Sequence, residues 1–135
     1  MTFALACWCV LAAALLPYGW TVIAKSTGRR FDNHDPREWL AQQENPRSRR
    51  ANAAQLNAFE AFAPFAAGVV LARIAGVDEQ QIALLALIFI GARVLHGLFY
   101  VADLALLRSL AWAAGFSCVV GLLVQAALRA GEVAV

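Results

Sequence analysis

The sequence predicts an all-α integral membrane protein, a bundle of four transmembrane helices that forms one domain over residues 1–135. Hydrophobic residues make up 61% of the chain and charged residues only 15%, with a mean hydropathy of +0.64. Soluble domains average about 45–50% apolar and about 25% charged residues. The chain also contains four apolar stretches close to the length, about 20 residues, at which a helix crosses the hydrocarbon core. The net charge of +2 gives no reason to expect a nucleic acid partner.

The predicted spans are bounded by charged or turn-forming segments. They cover about residues 2–24, 51–73, 81–102 and 108–129, and residues 25–50 form the first loop. The first span is uncharged and ends at Lys25. A secretory signal peptide is the alternative for this stretch, but such peptides begin with a basic segment and Met1-Thr2-Phe3 has none. We therefore expect the first span to be retained.

Two local signals mark helix boundaries between the spans. In the first loop, Pro36 follows Asp35, and Glu38 stands at the spacing of a capping box. A short helix is therefore expected to start here and to lie, with Trp39, at the membrane interface. After the second span, Gly76 is a candidate for the C-cap of the helix.

Basic residues predict the orientation of the chain. Seven lie at the start of the first loop or within it, and an eighth lies between the third and fourth spans: Lys25, Arg29, Arg30, Arg37, Arg47, Arg49, Arg50 and Arg108. The opposite side has only Arg73 and Arg129. Because basic residues are enriched on the cytoplasmic side, these two loops are expected to be cytoplasmic, with both termini on the other side.

Polar side chains inside the second and third spans are the first candidates for a functional site. An ionisable group at the centre of a membrane costs at least about 2.5–3.5 kcal/mol by insertion scales, so such groups are usually paired and functional. In the second span Asn57, Glu60 and Pro64 are spaced to share one helix face. In the third span one face carries Arg93, His96, Tyr100 and Asp103.

The depths of these residues predict which of them pair. Glu60 and Arg93 each lie nine residues inside the cytoplasmic boundary of their span, about 13 Å deep at the rise of an α-helix. Asn57 and His96 each lie six residues inside. Neighbouring antiparallel helices would then pair Glu60 with Arg93 and Asn57 with His96.

Nearer the cytoplasm, the mouth of a polar cleft would be surrounded by Arg50, Tyr100, Arg108 and Ser109. Such a cleft suits a small anionic ligand with a polar backbone. Plainer interpretations stay open. Glu60 and Arg93 could be a structural ion pair, and His96 a hydrogen-bonded residue of the bundle. Tyr100 could belong to the aromatic belt of the interface, and the arginines could serve topology alone.

The sequence gives no sign of a metal site. Cys7 and Cys9 fall on nearly opposite faces of a helix, and Cys118 is most simply a small apolar membrane residue. Asp32, His34 and Asp35 are better explained by turn and capping roles. A glycine-rich phosphate loop and a Ser-His-Asp arrangement are also absent from the sequence.

The polar motifs together resemble those of a known family. Arg50-Ala51-x-x-Ala54-Gln55-x-Asn57-x-x-Glu60-x-x-x-Pro64-Phe65 resembles the second-helix signature of the MAPEG family, the membrane-associated proteins in eicosanoid and glutathione metabolism. Arg93-x-x-His96-x-x-x-Tyr100 resembles the third-helix motif, and Arg108-Ser109 the start of the fourth helix. The loop with Asp32-Asn33 and Pro36-Arg37 is similar to that of the bacterial branch, which implies a bacterial inner membrane.

This resemblance implies a left-handed four-helix bundle, a homotrimer, and a glutathione site between subunits in the cytoplasmic half. Glutathione would be the co-substrate, and its activated thiolate would attack a lipophilic electrophile or a lipid hydroperoxide that arrives from the bilayer. Arg108 and Ser109 would be the catalytic residues that stabilise the thiolate. The residues expected to bind glutathione are Arg50, Asn57, Glu60, Arg93, His96 and Tyr100.

One departure from the family pattern keeps alternatives open. Animal members carry an arginine four residues before the asparagine, where this chain has Ala53. We expect the long side chain of Arg50, nearly one turn further out, to reach the same ligand carboxylate. A catalytically inactive membrane scaffold of the same family is one alternative. A small four-span transporter is another, although such exporters carry their essential glutamate in the first span, which is uncharged here.

Overall fold

The computed structural model describes residues 2–133; residues 1, 134 and 135 of the predicted domain lie outside the described residues. The described chain is helical, and its elements in order are α1 (Phe3–Thr27), α2 (Pro36–Ala41), α3 (Pro46–Ile74), α4 (Glu79–Val101) and α5 (Ala105–Val133). Within residues 2–133, four helices are long and apolar enough to cross a membrane, namely α1, α3, α4 and α5. The protein is therefore an integral, multi-pass membrane protein.

The transmembrane helices pack as a bundle in which α3 and α4 are central. Each of these two contacts the other and both outer helices, α1 and α5. At one end α1 and α4 finish and α3 and α5 begin, next to the segment 28–45. We call this the basic end, because it carries eight of the eleven basic residues. The other end is called the opposite end.

The start of α3 differs from the predicted boundary of the second span. The helix begins at Pro46, five residues before the predicted start at residue 51. Asn45 is its N-cap, and its side-chain oxygen accepts hydrogen bonds from the backbone N–H groups of Arg47 and Ser48 at 2.9 and 3.4 Å. The prediction followed the apolar stretch, whereas a well-capped helix continues beyond the hydrocarbon into the basic interface.

Small residues and polar bonds join α1 to α3 at the basic end. The hydroxyl of Ser48 donates to the carbonyl of Ala24 at 2.6 Å, and the amide of Asn45 donates to the carbonyl of Thr27 at 2.6 Å. Ala51 and Ala54 are buried beside them. Small side chains let the two backbones approach closely, as is usual between membrane helices.

Trp20 fixes α1 against α4. Its indole ring lies where a side chain at Gly97 would project, and a Cβ at that position would collide with the ring. Trp20 is itself buried with Ala54 and Ala58 of α3. Gly97 therefore lets the ring occupy this space, next in sequence to His96.

The α3–α4 and α4–α5 turns use the same Schellman geometry with different residues. After α3, Gly76 has a φ of 79°, and the N–H of Val77 donates to the carbonyl of Ala72 at 3.0 Å. After α4, Asp103 has a φ of 64°, and the N–H of Leu104 donates to the carbonyl of Phe99 at 2.9 Å. Glycine adopts this left-handed conformation without strain, whereas aspartate does so less readily.

The apolar core occupies the half of the bundle towards the opposite end. The rings of Phe65 and Phe89 stack with centroids 3.8 Å apart, and Val69, Ile82 and Leu122 surround them. At the opposite end itself, Glu79 begins α4 and accepts a hydrogen bond from the backbone N–H of Phe3 at 3.1 Å. The same carboxylate pairs with Arg73 at 2.9 Å.

The short helix α2 forms where the capping signal predicts it. The carboxylate of Asp35 accepts from the backbone N–H of Glu38 at 3.0 Å, and Pro36 is the first helical residue. The reciprocal bond of a capping box is absent from the described residues, because the Glu38 carboxylate instead accepts from the amide of Gln42 at 2.9 Å. Trp39 is buried, and its indole N–H donates to the carbonyl of Arg30 at 2.9 Å, which holds α2 against the preceding loop.

Candidate functional site

Asn57, Glu60 and Arg93 form a polar group between α3 and α4. The Arg93 guanidinium donates to the side-chain oxygen of Asn57 and, at 3.3 Å, to its backbone carbonyl. The amide of Asn57 in turn donates to the carboxylate of Glu60 at 3.5 Å. Arg93 is buried, with 4% of its surface exposed, whereas Glu60 lies on the outer surface of the bundle. Asn57 therefore connects a buried cation to an exposed anion.

Both predicted pairs across α3 and α4 are corrected by this geometry. Among the described residues, Glu60 and Arg93 do not form a direct ion pair. Their depths match, but burial separates them, and the amide of Asn57 offers both an acceptor and a donor between them. Asn57 is consequently engaged by Arg93 rather than by His96.

His96 turns instead towards α5. Its Nδ1 lies 3.1 Å from the backbone carbonyl of Arg108. A carbonyl oxygen only accepts, so this geometry assigns the proton to Nδ1. The His96 ring also meets the Tyr100 ring edge-on, with centroids 5.6 Å apart. The guanidinium of Arg108 lies over the face of Tyr100, 4.5 Å from its centroid. His96, Tyr100 and Arg108 thus form a second group, nearer the basic end.

Arg50 is held at the end of α4. Its guanidinium pairs with the carboxylate of Asp103 at 3.3 Å and donates to the carbonyl of Val101 at 3.3 Å. Arg49, Arg50 and Tyr100 line an open depression of about 380 Å³ at this position. Arg50 therefore lies beside Tyr100, but with its charge already partnered by Asp103.

Ser109 stands apart from both groups. It is exposed, and its hydroxyl donates to the carbonyl of Ala105, one turn earlier in α5, at 3.1 Å. The hydroxyl therefore satisfies the backbone of its own helix. To donate to a thiolate, the hydroxyl would have to leave this carbonyl.

The cleft beside the polar group of α3 and α4 has a volume of about 210 Å³ and both polar and apolar walls. Its polar side is formed by Asn57, Glu60 and Arg93, and its other lining residues are Ala61, Pro64, Phe89, Trp112, Phe116 and Val119. Sequence reasoning missed Trp112 and Phe116. The signal was present, because they follow Arg108 at intervals of four residues and so continue the face of α5 on which it lies.

Two polar atoms of the site are buried without a hydrogen-bond partner in the described residues, namely Nε of Arg93 and Nε2 of His96. A buried polar group without a partner costs about 1–3 kcal/mol, so native proteins contain few of them. Both atoms belong to the half of the bundle that holds the polar groups, which marks that half as the candidate site.

The donor set of the cleft suits an anionic ligand better than a metal ion. Arginine has donors and no acceptors, and Arg93 and Arg108 supply the positive charge of the two groups. Within residues 2–133, no three His, Cys, Asp or Glu side chains come together in a way that could hold a metal ion.

Comparison with known proteins agrees with the motifs and the fold. A search of curated proteins finds no match. The family model described as "MAPEG family" matches residues 5–128, which includes all four transmembrane helices almost completely and every residue of the candidate site. The chain therefore belongs to the MAPEG family.

Proposed function

We propose that this protein is a membrane-bound, glutathione-dependent transferase or peroxidase that acts on lipophilic electrophiles or hydroperoxides. The observation that carries the proposal is the cleft of α3, α4 and α5, where a buried guanidinium, an exposed carboxylate and an aromatic wall adjoin each other. Such a site offers a polar side to a water-soluble thiol and an apolar side to a molecule dissolved in the bilayer.

The charges of the site complement those of glutathione, which carries two carboxylates, one ammonium group and a thiol. Glu60 is exposed and has no ion pair within residues 2–133, so it is our candidate for the ammonium. Arg93 with Asn57 is the candidate for one carboxylate. Arg50 is the candidate for the other, provided that it leaves Asp103. His96 and Tyr100 complete the wall between these positions.

Arg108 is the proposed activator of the thiol. Only the thiolate is a nucleophile, and a thiol of ordinary pKa is mostly protonated at neutral pH. A guanidinium stays charged and stabilises the thiolate by a charge-assisted hydrogen bond. Arg108 lies over Tyr100 at the basic end, between the aqueous side and the cleft. Ser109 would add a weaker, neutral hydrogen bond.

We further propose that the site is completed by neighbouring subunits of a homotrimer. Glu60 lies well inside its span on the outer surface of the bundle, and a carboxylate is not stable against lipid at that depth. A second copy that covers α3 would remove this exposure. The mass of the purified protein, corrected for bound detergent, should equal three chains, and a monomer or dimer would contradict the trimer.

We propose the orientation and the membrane from the distribution of the basic residues and from the likeness of the first loop to that of the bacterial branch. The basic end should face the cytoplasm, with both termini outside, and the protein should reside in a bacterial inner membrane. Cysteine labelling from one side of the membrane tests this: a cysteine placed at Arg37 should react with a membrane-impermeant reagent only after the cells are opened.

Thiol binding and activation test the proposed function directly. Glutathione titrated into purified wild-type protein should give saturable binding, and the complex should show the ultraviolet absorbance of a thiolate at neutral pH. Arg108→Leu should lose that absorbance and most turnover of an activated aryl halide. Ser109→Ala should lose less, since a neutral donor contributes less than a charged one. Arg129→Leu removes an arginine at the other end of the same helix and is the matched control.

The other outcomes are equally informative. Wild-type protein that binds no glutathione would contradict the proposal and leave the transporter and scaffold interpretations. If Arg108→Leu keeps both the thiolate absorbance and full turnover, the activating group is not Arg108. Arg50 and Tyr100 would then be the next residues to replace.

A further inference from the structure

An open groove runs between α1 and α4 at the basic end of the bundle. Its volume is about 600 Å³, and its wall is largely apolar, with Trp20 and Ile23 from α1 and Leu98 and Phe99 from α4. The cleft of the candidate site is lined by α3, α4 and α5 and shares no lining residue with this groove. The groove is therefore a separate feature, which the proposed function does not use.

Arg47 is the only charged residue that lines the groove. Its side chain is exposed, and it has no ion pair within residues 2–133. Asp103 belongs to the chain segment that borders the groove, but its carboxylate pairs with Arg50 and lines a different depression. The positive charge at the groove is therefore not balanced by a carboxylate of the described chain.

The charge and the apolar wall of the groove lie at different depths. Ser48, next to Arg47, donates to the carbonyl of Ala24, so Arg47 is level with the last turn of α1. Trp20 lies one turn earlier in α1, about 6 Å deeper at the rise of an α-helix. Trp20 is buried there, whereas Leu98 is half exposed. A ligand that fills the groove must therefore be charged at the membrane interface and apolar towards the membrane centre.

A second apolar groove, between α3 and α5 at the opposite end, provides a contrast. Its lining consists of leucine, isoleucine and alanine side chains and contains no charged residue. Lipid chains of any kind can cover such a surface. The groove between α1 and α4 differs because Arg47 lies at its mouth and because its end of the bundle carries eight of the eleven basic residues. Charge thus distinguishes the two grooves.

We propose that the groove between α1 and α4 binds one anionic phospholipid, with its phosphate at Arg47 and an acyl chain along Leu98 towards Trp20. A guanidinium binds phosphate oxygens through two parallel N–H donors, and basic pockets between membrane helices on the cytoplasmic side bind anionic head groups. A free phosphate ion would leave the apolar wall uncovered, and a zwitterionic lipid brings a cation of its own to a basic surface. The inference concerns a second site and does not depend on the proposed enzymatic function.

Lipid titration of the purified protein in a neutral detergent tests this inference. Dioleoylphosphatidylglycerol and dioleoylphosphatidylcholine share their chains and phosphate and differ in net charge. Native mass spectrometry should show one phosphatidylglycerol per chain, bound about fivefold more tightly than phosphatidylcholine, which is what one basic residue contributes near an anionic surface. Phosphatidylglycerol should also raise the melting temperature, because a ligand that binds only the folded state stabilises it. Glycerophosphoglycerol, the same head group without chains, should do neither.

Three variants separate the parts of the groove. Arg47→Gln removes the charge and should reduce the affinity ratio of the two lipids to near one. Leu98→Trp places a large ring in the groove and should lower the affinity for phosphatidylglycerol although Arg47 is still present. Arg49→Gln is the matched control, because Arg49 is an exposed arginine of the same helix turn that lines the depression beside Tyr100 instead. Its ratio should equal that of the wild type.

Four results would overturn the inference. One is a wild-type ratio near one, and another is an equal loss in Arg47→Gln and Arg49→Gln, which would show only a diffuse attraction to the basic end. A third is binding of glycerophosphoglycerol as tight as that of the lipid. If Leu98→Trp changes the number of chains in the assembly rather than lipid binding, a second copy covers the groove. Both replaced side chains are exposed, so each variant should melt close to the wild-type temperature without added lipid.

Discussion

The two halves of the α3–α4 contact have opposite chemistry, although the same two helices form both. Towards the opposite end, Phe65 and Phe89 stack in a fully apolar core. Towards the basic end, Asn57 and Arg93 meet instead. Apolar packing satisfies the first half entirely, whereas the second half contains buried nitrogen atoms without partners in the described residues.

The difference separates a half that packing explains from a half that packing alone does not explain. An apolar contact would hold α3 to α4 at least as well as a buried arginine does, because replacing buried charged groups by apolar residues is often neutral or stabilising. The polar half therefore fits the ligand site that we propose. The apolar half supplies the rigid support that keeps Arg93 in position.

The largest effect is expected in the apolar half. Phe65→Ala should lower the free energy of unfolding by about 3–5 kcal/mol, because it removes a fully buried ring and leaves a cavity under Phe89. Denaturant titration in detergent measures this. Glutathione affinity of the molecules that remain folded should be close to the wild-type value; a large loss of affinity would show that the halves are not separable.

A glycine pair on α4 gives the next largest effect. Gly97→Ala should destabilise the protein by about 1–3 kcal/mol, because the added methyl group collides with the buried ring of Trp20. Gly91→Ala is the matched control on the same helix, since a Cβ there meets no atom within 4 Å. It should be neutral or slightly stabilising. Equal effects in thermal melting would contradict the role of the Trp20 contact.

A double-mutant cycle sharpens the description of the polar half. Asn57→Ala and Arg93→Met should be non-additive in melting experiments by about 1.5 kcal/mol or more, the size of a hydrogen bond to a charged group. The cycle of Glu60→Gln with Arg93→Met should give a smaller coupling, since these two side chains have no direct bond. If the coupling of Glu60 with Arg93 exceeded that of Asn57 with Arg93, the direct ion pair that the sequence predicts would be supported instead.

The smallest effect concerns Asp103. Asp103→Gly loses a largely exposed ion pair, worth at most about 1 kcal/mol, and relieves a left-handed backbone conformation, so stability should change little. Arg50 is released by the same substitution, and glutathione affinity should rise by up to about fivefold, the equivalent of that pair. Calorimetry measures it, and a fall in affinity would show that Asp103 itself contributes to binding.

The sequence predicted the helices better than the contacts between them. Spans could be recognised because membrane length and an apolar composition with few charges leave a strong local signal, and the α2 cap could be recognised from Asp35 and Pro36. The early start of α3 was missed because hydropathy follows the membrane, while the helix follows its cap at Asn45. Family membership was predicted from the spacing of the polar residues and is confirmed by the family match over residues 5–128.

Pairing within the site could be predicted only in part. Depth along each helix placed Asn57, Glu60 and Arg93 at one level, and they do form one group. The depth of a residue does not tell how its helix is rotated about its own axis. This rotation turns Glu60 outwards and His96 towards Arg108 of α5. Trp112 and Phe116 were missed because an aromatic residue in a membrane helix is ordinary by composition, and only the cleft distinguishes these two.

The bond between the N–H of Phe3 and Glu79 ties the start of the first span to a distant part of the chain. The first turn of a helix leaves backbone N–H groups without partners in the helix itself, and the partner of this one is encoded 76 residues later. The acceptor for the start of α1 therefore comes from tertiary structure. An α1 helix separated from α4 would have this N–H open, and packing of α4 against α1 supplies its acceptor.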